Sequence, residues 1–493
     1  MNSAQDLTGW LSAAQGGDPA AFESLYLALE PDVSRFVRRL LRDDPGCADI
    51  VQETFLTLYI HLAEIDPPAK LRPYVFRVAR NACYDVMRQW GRRPGVSIDD
   101  DGAEDRIAFD LRDDAAARRL YYEADGKPKA VGTKIVNREF GFVLLALAQH
   151  GTKLFYEGPI ARDIVAAVRA PHAKNPGDLS EADLAAYKPI EREPLCGERL
   201  GHRVCGMPPP SSGGLAVLQT LTFSAELAGR MPLAAESVHH FAESGRLTFA
   251  DRARYLADPG FVDMPVRALL DPAYLTARKA LIRAEASMGR AAAGELPAQQ
   301  SFGEEASAEL PATTHLSIVD AEGNAVSLTS SIEAAFGSRI MVHGFLLNNQ
   351  LTDFSFRPEE EGRPVANRVE AGKRPLSSMA PTVIYGRDGR VVALVGSPGG
   401  SRIINYVAQA VLGLLAWNLS PGEAVALPHY GSRNGPTELE RGTAAVQLRP
   451  ALERRGHTVT VQDMTSGLSV IQRRGDDWVG AADPRREGTA RAE

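Results

Sequence analysis

Cysteine is scarce in this 493-residue chain: Cys47, Cys83, Cys196 and Cys205 are widely spaced and follow no metal-ligand pattern. That spacing excludes a zinc ribbon and a disulfide-dense scaffold. The simplest state is free thiols in a reducing compartment, with Cys196 and Cys205 close enough to pair if the chain is exported. No apolar run approaches the roughly eighteen residues a membrane helix needs. Met1 to Gly17 lacks a basic start and an apolar stretch, so no secretory leader is predicted and a cytoplasmic location follows. Cationic excess is missing too, since the net charge is −7; any nucleic-acid binding must be local. No internal repeat is present. What remains, 44% apolar and 24% charged residues, is ample for two or three globular domains.

The densest chemistry begins at Thr313. Residues 287–312 are rich in Ala, Gly, Glu, Gln and Ser, which predicts a mobile tether. A strand pattern then starts abruptly with Thr313-Thr314-His315-Leu316-Ser317-Ile318. Asp320 to Asn324 read as a hairpin turn, and Ala325 to Ser331 as the return strand. Placing Leu316, Ile318, Val326 and Leu328 on a buried face turns Thr313, His315, Ser317, Thr329, Ser331 and Glu333 the other way. That register sets Glu333 opposite Thr313, with Ser331 as its diagonal neighbour. Standing alone, this is a polar-faced hairpin. A threonine freed at a chain terminus, however, carries its own base in its α-amine.

The hairpin is followed in order by Leu346 to Phe354, by Lys373 to Thr382, and by Gly396-Ser397-Pro398-Gly399-Gly400 after a buried-looking strand. This series resembles the small catalytic subunit of gamma-glutamyltransferases from Thr313 to about Pro484. The resemblance implies an N-terminal-nucleophile hydrolase that cleaves itself before Thr313. It implies Thr313 as nucleophile, assisted by the Ser331 hydroxyl, and Gly399 and Gly400 as the oxyanion hole, where backbone N–H groups must approach closely. It further implies Glu333, Gln350 and Asp353 around the substrate's α-ammonium, and Ser377 and Ser378 as donors to its α-carboxylate. The implied substrate is glutathione or another γ-glutamyl amide, the acceptor water or an amino acid. No metal or organic cofactor is needed, because the α-amine is the base.

Residues 121–286 extend the likeness into the later part of the family's large subunit through Gly126 to Thr133, Phe155 to Ala161, Leu179 to Leu184 and Cys205 to Gly214. The segment is mostly helical by pattern, with Ile164, Ala167 and Val168 on one stripe and Leu215, Leu218 and Leu221 on another. The family's earlier large-subunit strands, and an arginine that clamps the α-carboxylate, have no visible counterpart. An open sheet edge and an impaired or unprocessed enzyme are the corresponding expectations.

The first hundred residues differ. Residues 19–90 read as four amphipathic helices with breaks near Pro31, Asp43-Asp44-Pro45 and Asp66-Pro67-Pro68. In the last, Val75, Val78, Ala79, Ala82 and Val86 form one face, opposite Arg77, Arg80, Tyr84 and Arg88. Basic residues interleaved with rings suit phosphates and unstacked bases, although such a helix is also an ordinary solvated face. Asp49 to Leu56 and Arg72 to Asn81 resemble region two of extracytoplasmic-function sigma factors. That likeness implies Asp49, Gln52 and Glu53 facing core RNA polymerase, and Arg77, Arg80, Asn81 and Arg88 facing promoter DNA. The helix-turn-helix of such factors is not recognisable downstream.

The expected architecture is α+β: an all-α helical module (1–98), an acidic linker (99–120), and a partial Ntn-hydrolase αββα sandwich. The last comprises a large-subunit-like segment (121–312), a catalytic segment (313–485) and a tail (486–493). Two functions compete: the γ-glutamyl-transferring hydrolase, and a polymerase- and DNA-binding module carrying an inactive enzymatic tail.

Overall fold

The computed structural model describes residues 4–16, 18–41, 47–62, 65, 70–76, 78, 79, 82, 111, 114–130, 132–170, 177–296, 302, 303 and 312–492. The chain divides into two compact units, Met1–Val96 and Ser97–Glu493.

In the first unit, apolar residues at helical spacing dictate the packing. Helices α1 (Ala4–Gln15), α2 (Pro19–Leu41) and α3 (Cys47–Ile60) are joined by helical residues 71–76, 78, 79 and 82. Leu25, Leu29, Val33 and Val37 fall four apart on α2 and are fully buried against Leu11, Phe55, Leu58, Val75 and Ala79. The expected break at Pro31 does not occur: α2 runs through it. Proline removes one helical N–H, but Leu29 and Val33 on either side are anchored in the core, and tertiary packing overrides the local penalty. Gln52 is exposed on α3, which also carries Asp49 and Glu53. The side chains of Asp49 and Glu53, and the whole of Arg77, Arg80, Asn81, Arg88 and linker residues 99–110, lie outside the described residues.

The second unit is built on a six-stranded antiparallel sheet. Its strands, in chain order, are β1 (Leu195–Arg199), β2 (His202–Gly206), β5 (Thr382–Tyr385), β6 (Val391–Gly396), β10 (Ser469–Arg474) and β11 (Asp477–Ala482), and they pair in that order. Two further strands, β3 (Thr313–Val319) and β4 (Ala325–Ser331), form a separate hairpin. A small sheet joins β7 (Tyr430–Ser432), β8 (Thr437–Glu440) and β9 (Val459–Gln462).

Alternation along β6 sets the layers. Ala393 and Val395 enter the core shared with helices α6 (Gly213–Phe223), α7 (Ala235–Tyr255) and α8 (Ile403–Leu415). Truncating a buried leucine there, such as Leu218 or Leu412, costs about 2–5 kcal/mol. On the opposite face Gly396 meets the hairpin, because a Cβ at Gly396 would lie 2.0 Å from the His315 ring. Helices α4 (Arg138–His150) and α5 (Pro159–Arg169) pack beside this body, with Val143, Ile160 and Ile164 buried together.

Several expectations are corrected here. The hairpin's apolar face is its outer one: Leu316, Ile318, Val326 and Leu328 are 37%, 53%, 50% and 48% exposed. His315, Ser317 and Thr329 face the six-stranded sheet and satisfy one another by hydrogen bonds. Among the described residues no helix covers that outer face, so the arrangement is helix, sheet, hairpin rather than four layers. The start of the expected tether is packed as well: Ala291 and Ala293 are buried beside Tyr255 and Leu275, the Gly294 N–H binds Asp251, and Phe302 is buried near Ala257 and Ala366. Small residues suit this segment because it runs against the buried side of α7. Cys196 and Cys205, directly opposite on β1 and β2, are joined in a disulfide instead of remaining free thiols. The short β1–β2 pair itself interrupts the segment read as mostly helical.

Candidate active site

The hairpin register fixes the centre of the site. Val319 pairs with Ala325 around a five-residue loop, in which the Asp320 carboxylate accepts the Asn324 N–H at 2.7 Å and Gly323 takes a positive φ of 85°. Counting back, Thr313 stands directly opposite Ser331, not Glu333. The Thr313 hydroxyl donates to Ser331 Oγ at 3.2 Å, and Ser331 donates to the Ala312 carbonyl at 3.1 Å. Ser331 Oγ also accepts the Glu333 N–H at 2.9 Å, possible because the chain bends away at Glu333, whose φ is +73°.

Four loops complete the cleft. The Asn349 side chain donates to Glu333, and its Oδ1 accepts the Ala334 N–H at 2.9 Å, tying the hairpin end to the turn Gln350–Asp353. Within that turn Gln350 donates to Asp353, while Asn367 donates to the Asp353 carbonyl at 2.7 Å. Ser377 and Ser378 lie on the segment preceding β5; the Ser212 N–H and the Ser212 hydroxyl each bond the Ser377 carbonyl at 2.7 Å. Gly399 and Gly400 follow β6 and lead into α8 with φ values of 137° and 57°. A side chain at Gly399 would meet the Tyr406 ring at 2.6 Å, so only glycine fits the turn.

One cleft of about 260 Å³, open to solvent, is lined by Thr313, Ser331, Glu333, Gln350, Asp353, Ser377, Ser378 and Gly400. Of the hydrolase residues singled out from sequence, Gly399 alone stands behind this lining. Met379 and Ile403 also line the cleft. Its lining combines the buried carboxylates of Glu333 and Asp353 with the hydroxyls of Ser377 and Ser378. Carboxylates for an ammonium and hydroxyls for a carboxylate suit a zwitterion.

Sequence reasoning missed several supporting residues. Arg252 on α7 donates to Ser212 Oγ and Ser378 Oγ, each at 2.9 Å. Arg486, assigned to the tail, donates to the Thr313 carbonyl at 3.4 Å and the Thr465 carbonyl at 2.9 Å. Behind the glycine turn, Glu438 is buried between Arg402 and Arg433 at 2.9 and 2.7 Å, and the two guanidiniums hold its carboxyl down at about 2 against the opposing cost of burial. None of these carries a local motif; each depends on pairing distant segments.

Away from the cleft, His239, Glu243 and His457 come close enough to suit a metal ion. Their atoms are already engaged. Glu243 accepts from Arg246 at 2.9 Å, Ser287 at 2.7 Å and the Met288 N–H at 2.7 Å. His239 Nε2 faces the Arg283 carbonyl at 2.7 Å and must donate, so its Nδ1 accepts from His457 Nε2 at 2.6 Å. His457 Nδ1 then accepts from the Thr437 hydroxyl at 2.7 Å. The cluster reads as a hydrogen-bond chain with both rings neutral.

Comparison with known proteins agrees with this geometry. Residues 25–93 match the family profile Sigma-70 region 2. The glutathione hydrolase proenzyme of Escherichia coli K12 is 34% identical, over 80% of this chain and 68% of its own length. That of Bacillus subtilis 168 is 31% identical over 86% and 77%. The acylase ACY 1 proenzyme of Pseudomonas sp. SE83 is 34% identical over 74% and 62%. Among solved structures, a cephalosporin acylase from Bacillus halodurans superposes with a TM-score of 0.66 at 22% identity, covering 87% of this chain and 76% of its own, a likeness of fold. The profile Gamma-glutamyltranspeptidase matches residues 94–493, and the chain belongs to that family.

Proposed function

We propose that the second unit is a glutathione hydrolase of the N-terminal-nucleophile type, with three of the four layers of an αββα sandwich. The observation that carries this reading is the chain of hydroxyls from Thr313 through Ser331 to the Ala312 carbonyl. As Thr313 Oγ1 bonds to the Ala312 carbonyl carbon, its proton passes to Ser331, and the Ser331 proton passes to the carbonyl oxygen. Collapse breaks the Ala312–Thr313 C–N bond and leaves an ester. The proton on the former carbonyl oxygen passes to the departing nitrogen, so the Thr313 α-amine is free at this stage, and water then hydrolyses the ester, releasing the Ala312 carboxylate and restoring the Thr313 hydroxyl.

The freed amine is then the base for Thr313 in each turnover. Thr313 Oγ1 attacks the γ-carbonyl carbon of glutathione or a related amide while its proton moves to the α-amine. Gly399 and Gly400 N–H groups hold the oxyanion, a donation worth a few kcal/mol each. The leaving amine takes the proton from the Thr313 ammonium. Water, or an amino acid, then displaces the γ-glutamyl group from Thr313. Glu333, Gln350 and Asp353 receive the substrate's α-ammonium; Ser377 and Ser378 receive its α-carboxylate. Denaturing electrophoresis with mass spectrometry tests the proposal: two pieces divided at Ala312–Thr313 are expected, and an intact chain in the folded protein would overturn it.

A second reading concerns the first unit alone and rests on the match of residues 25–93 to Sigma-70 region 2. It is an all-helical module that holds core RNA polymerase through Asp49, Gln52 and Glu53 and contacts promoter DNA through Arg77, Arg80, Asn81 and Arg88. Co-purification with core polymerase, lost on changing Gln52 and Glu53 to alanine, is the expected result; retention by that variant removes the assignment. A polymerase partner would put the chain in the cytoplasm, where reductants would have to open the Cys196–Cys205 disulfide. Alkylation in freshly lysed cells reads their state, and an unreactive pair there contradicts this placement.

A further inference from the structure

Arg252 is buried behind the cleft and acts in two directions, towards Ser212 Oγ and Ser378 Oγ at 2.9 Å each. The Phe249 ring, 5.8 Å from its guanidinium carbon, flanks it. Ser212 passes the first contact on, because its hydroxyl and its N–H both bond the Ser377 carbonyl. The neighbouring hydroxyl is held similarly: Ser377 Oγ accepts the Met379 N–H at 3.2 Å. Both serines therefore accept from fixed N–H donors of the protein. A guanidinium bonded to a hydroxyl polarises it and strengthens its interaction with an anion.

We infer that Arg252 is a positioning residue for the α-carboxylate of the substrate. It holds Ser378 Oγ directly and Ser377 through Ser212, and it brings a positive charge within one hydroxyl of the carboxylate seat. The charge enters from α7. Substrates with a free α-carboxylate are favoured over those in which that group is amidated. This inference rests on the cleft taking a γ-glutamyl group, as proposed above.

Calorimetric binding to the full chain tests it without turnover, using L-glutamate and its α-carboxamide as probes. Arg252→Gln and Ser378→Ala should each weaken L-glutamate by about ten- to a hundredfold. The α-carboxamide should change by less than about threefold. Arg252→Lys, which keeps the charge but loses the fork, should fall between wild type and Arg252→Gln. The double variant should lose little more than either single one. Equal weakening of both probes by a folded Arg252→Gln protein, with lysine giving no recovery, overturns the inference and leaves the reading of the cleft intact. If Arg252→Gln does not fold, Ser378→Ala and Arg252→Lys carry the same comparison. Wild-type protein that binds no L-glutamate overturns both.

Discussion

Thr313 and Ser331 face each other directly across the β3–β4 hairpin, hydroxyl to hydroxyl at 3.2 Å, and Ser331 reaches the carbonyl of the peptide bond before Thr313. Thr313→Ala should abolish cleavage. Ser331→Ala removes the donor to the developing oxyanion and should slow cleavage by about 10²–10³. The intact band on denaturing gels, followed over time, gives the rate; unchanged cleavage in Ser331→Ala excludes that hydroxyl from the proton path.

That Thr313, the glycine turn and the polar loops gather in one cleft was legible because each is a short polar or glycine run. Register was not. It depends on how Asp320 folds the loop onto Asn324, a side-chain hydrogen bond that moves the pairing by two residues and replaces Glu333 with Ser331 opposite Thr313. Which hairpin face is inside was misread for a non-local reason: His315 and Ser317 are covered by the sheet beneath, while leucines and isoleucine turn outwards. The contacts of Arg252 with Ser378 and of Glu438 with Arg402 were invisible in sequence because they span 126 and 36 residues.

The outward face of the hairpin predicts a solubility effect. Ile318→Thr with Leu328→Thr keeps β-branched or strand-tolerant residues and removes exposed apolar area. The change in unfolding free energy should stay within about 0.5 kcal/mol, whereas aggregation measured by light scattering should fall. A large drop in stability would mean that the face is covered.

Acid should weaken the fold from about pH 6.5 downwards. Burial is the main cause that lowers His457 to about 3 and His315 to about 4, from an ordinary 6.5; for His457 the neighbouring His239, Arg246 and Arg455 add to it. Their folded values are depressed, so their stabilising contribution is complete above pH 6.5 and declines as pH falls towards 4 and then 3, by up to about 1.4 kcal/mol per unit and group. Melting temperature should drop between pH 6.5 and 4, and His457→Gln should flatten part of that fall. A flat profile over this range contradicts the neutral hydrogen-bond chain.

Glu438 anchors the far side of the glycine turn through Arg402, which opens onto α8. Glu438→Gln leaves two guanidiniums facing a neutral amide in a buried place and should cost about 3–5 kcal/mol. Chemical denaturation measures the loss directly. A cost below about 1 kcal/mol would show that solvent already screens the pair.

The six-stranded sheet runs across the proposed scission point: β2, upstream of Ala312, is hydrogen-bonded to β5, downstream of Thr313. Breaking one covalent link therefore does not divide the folded body, since the ladder and the core beneath it still bind the halves together. Two polypeptides on a denaturing gel should travel as a single particle through a sizing column, and the helical unit at the amino terminus should remain a passenger on the mature catalyst.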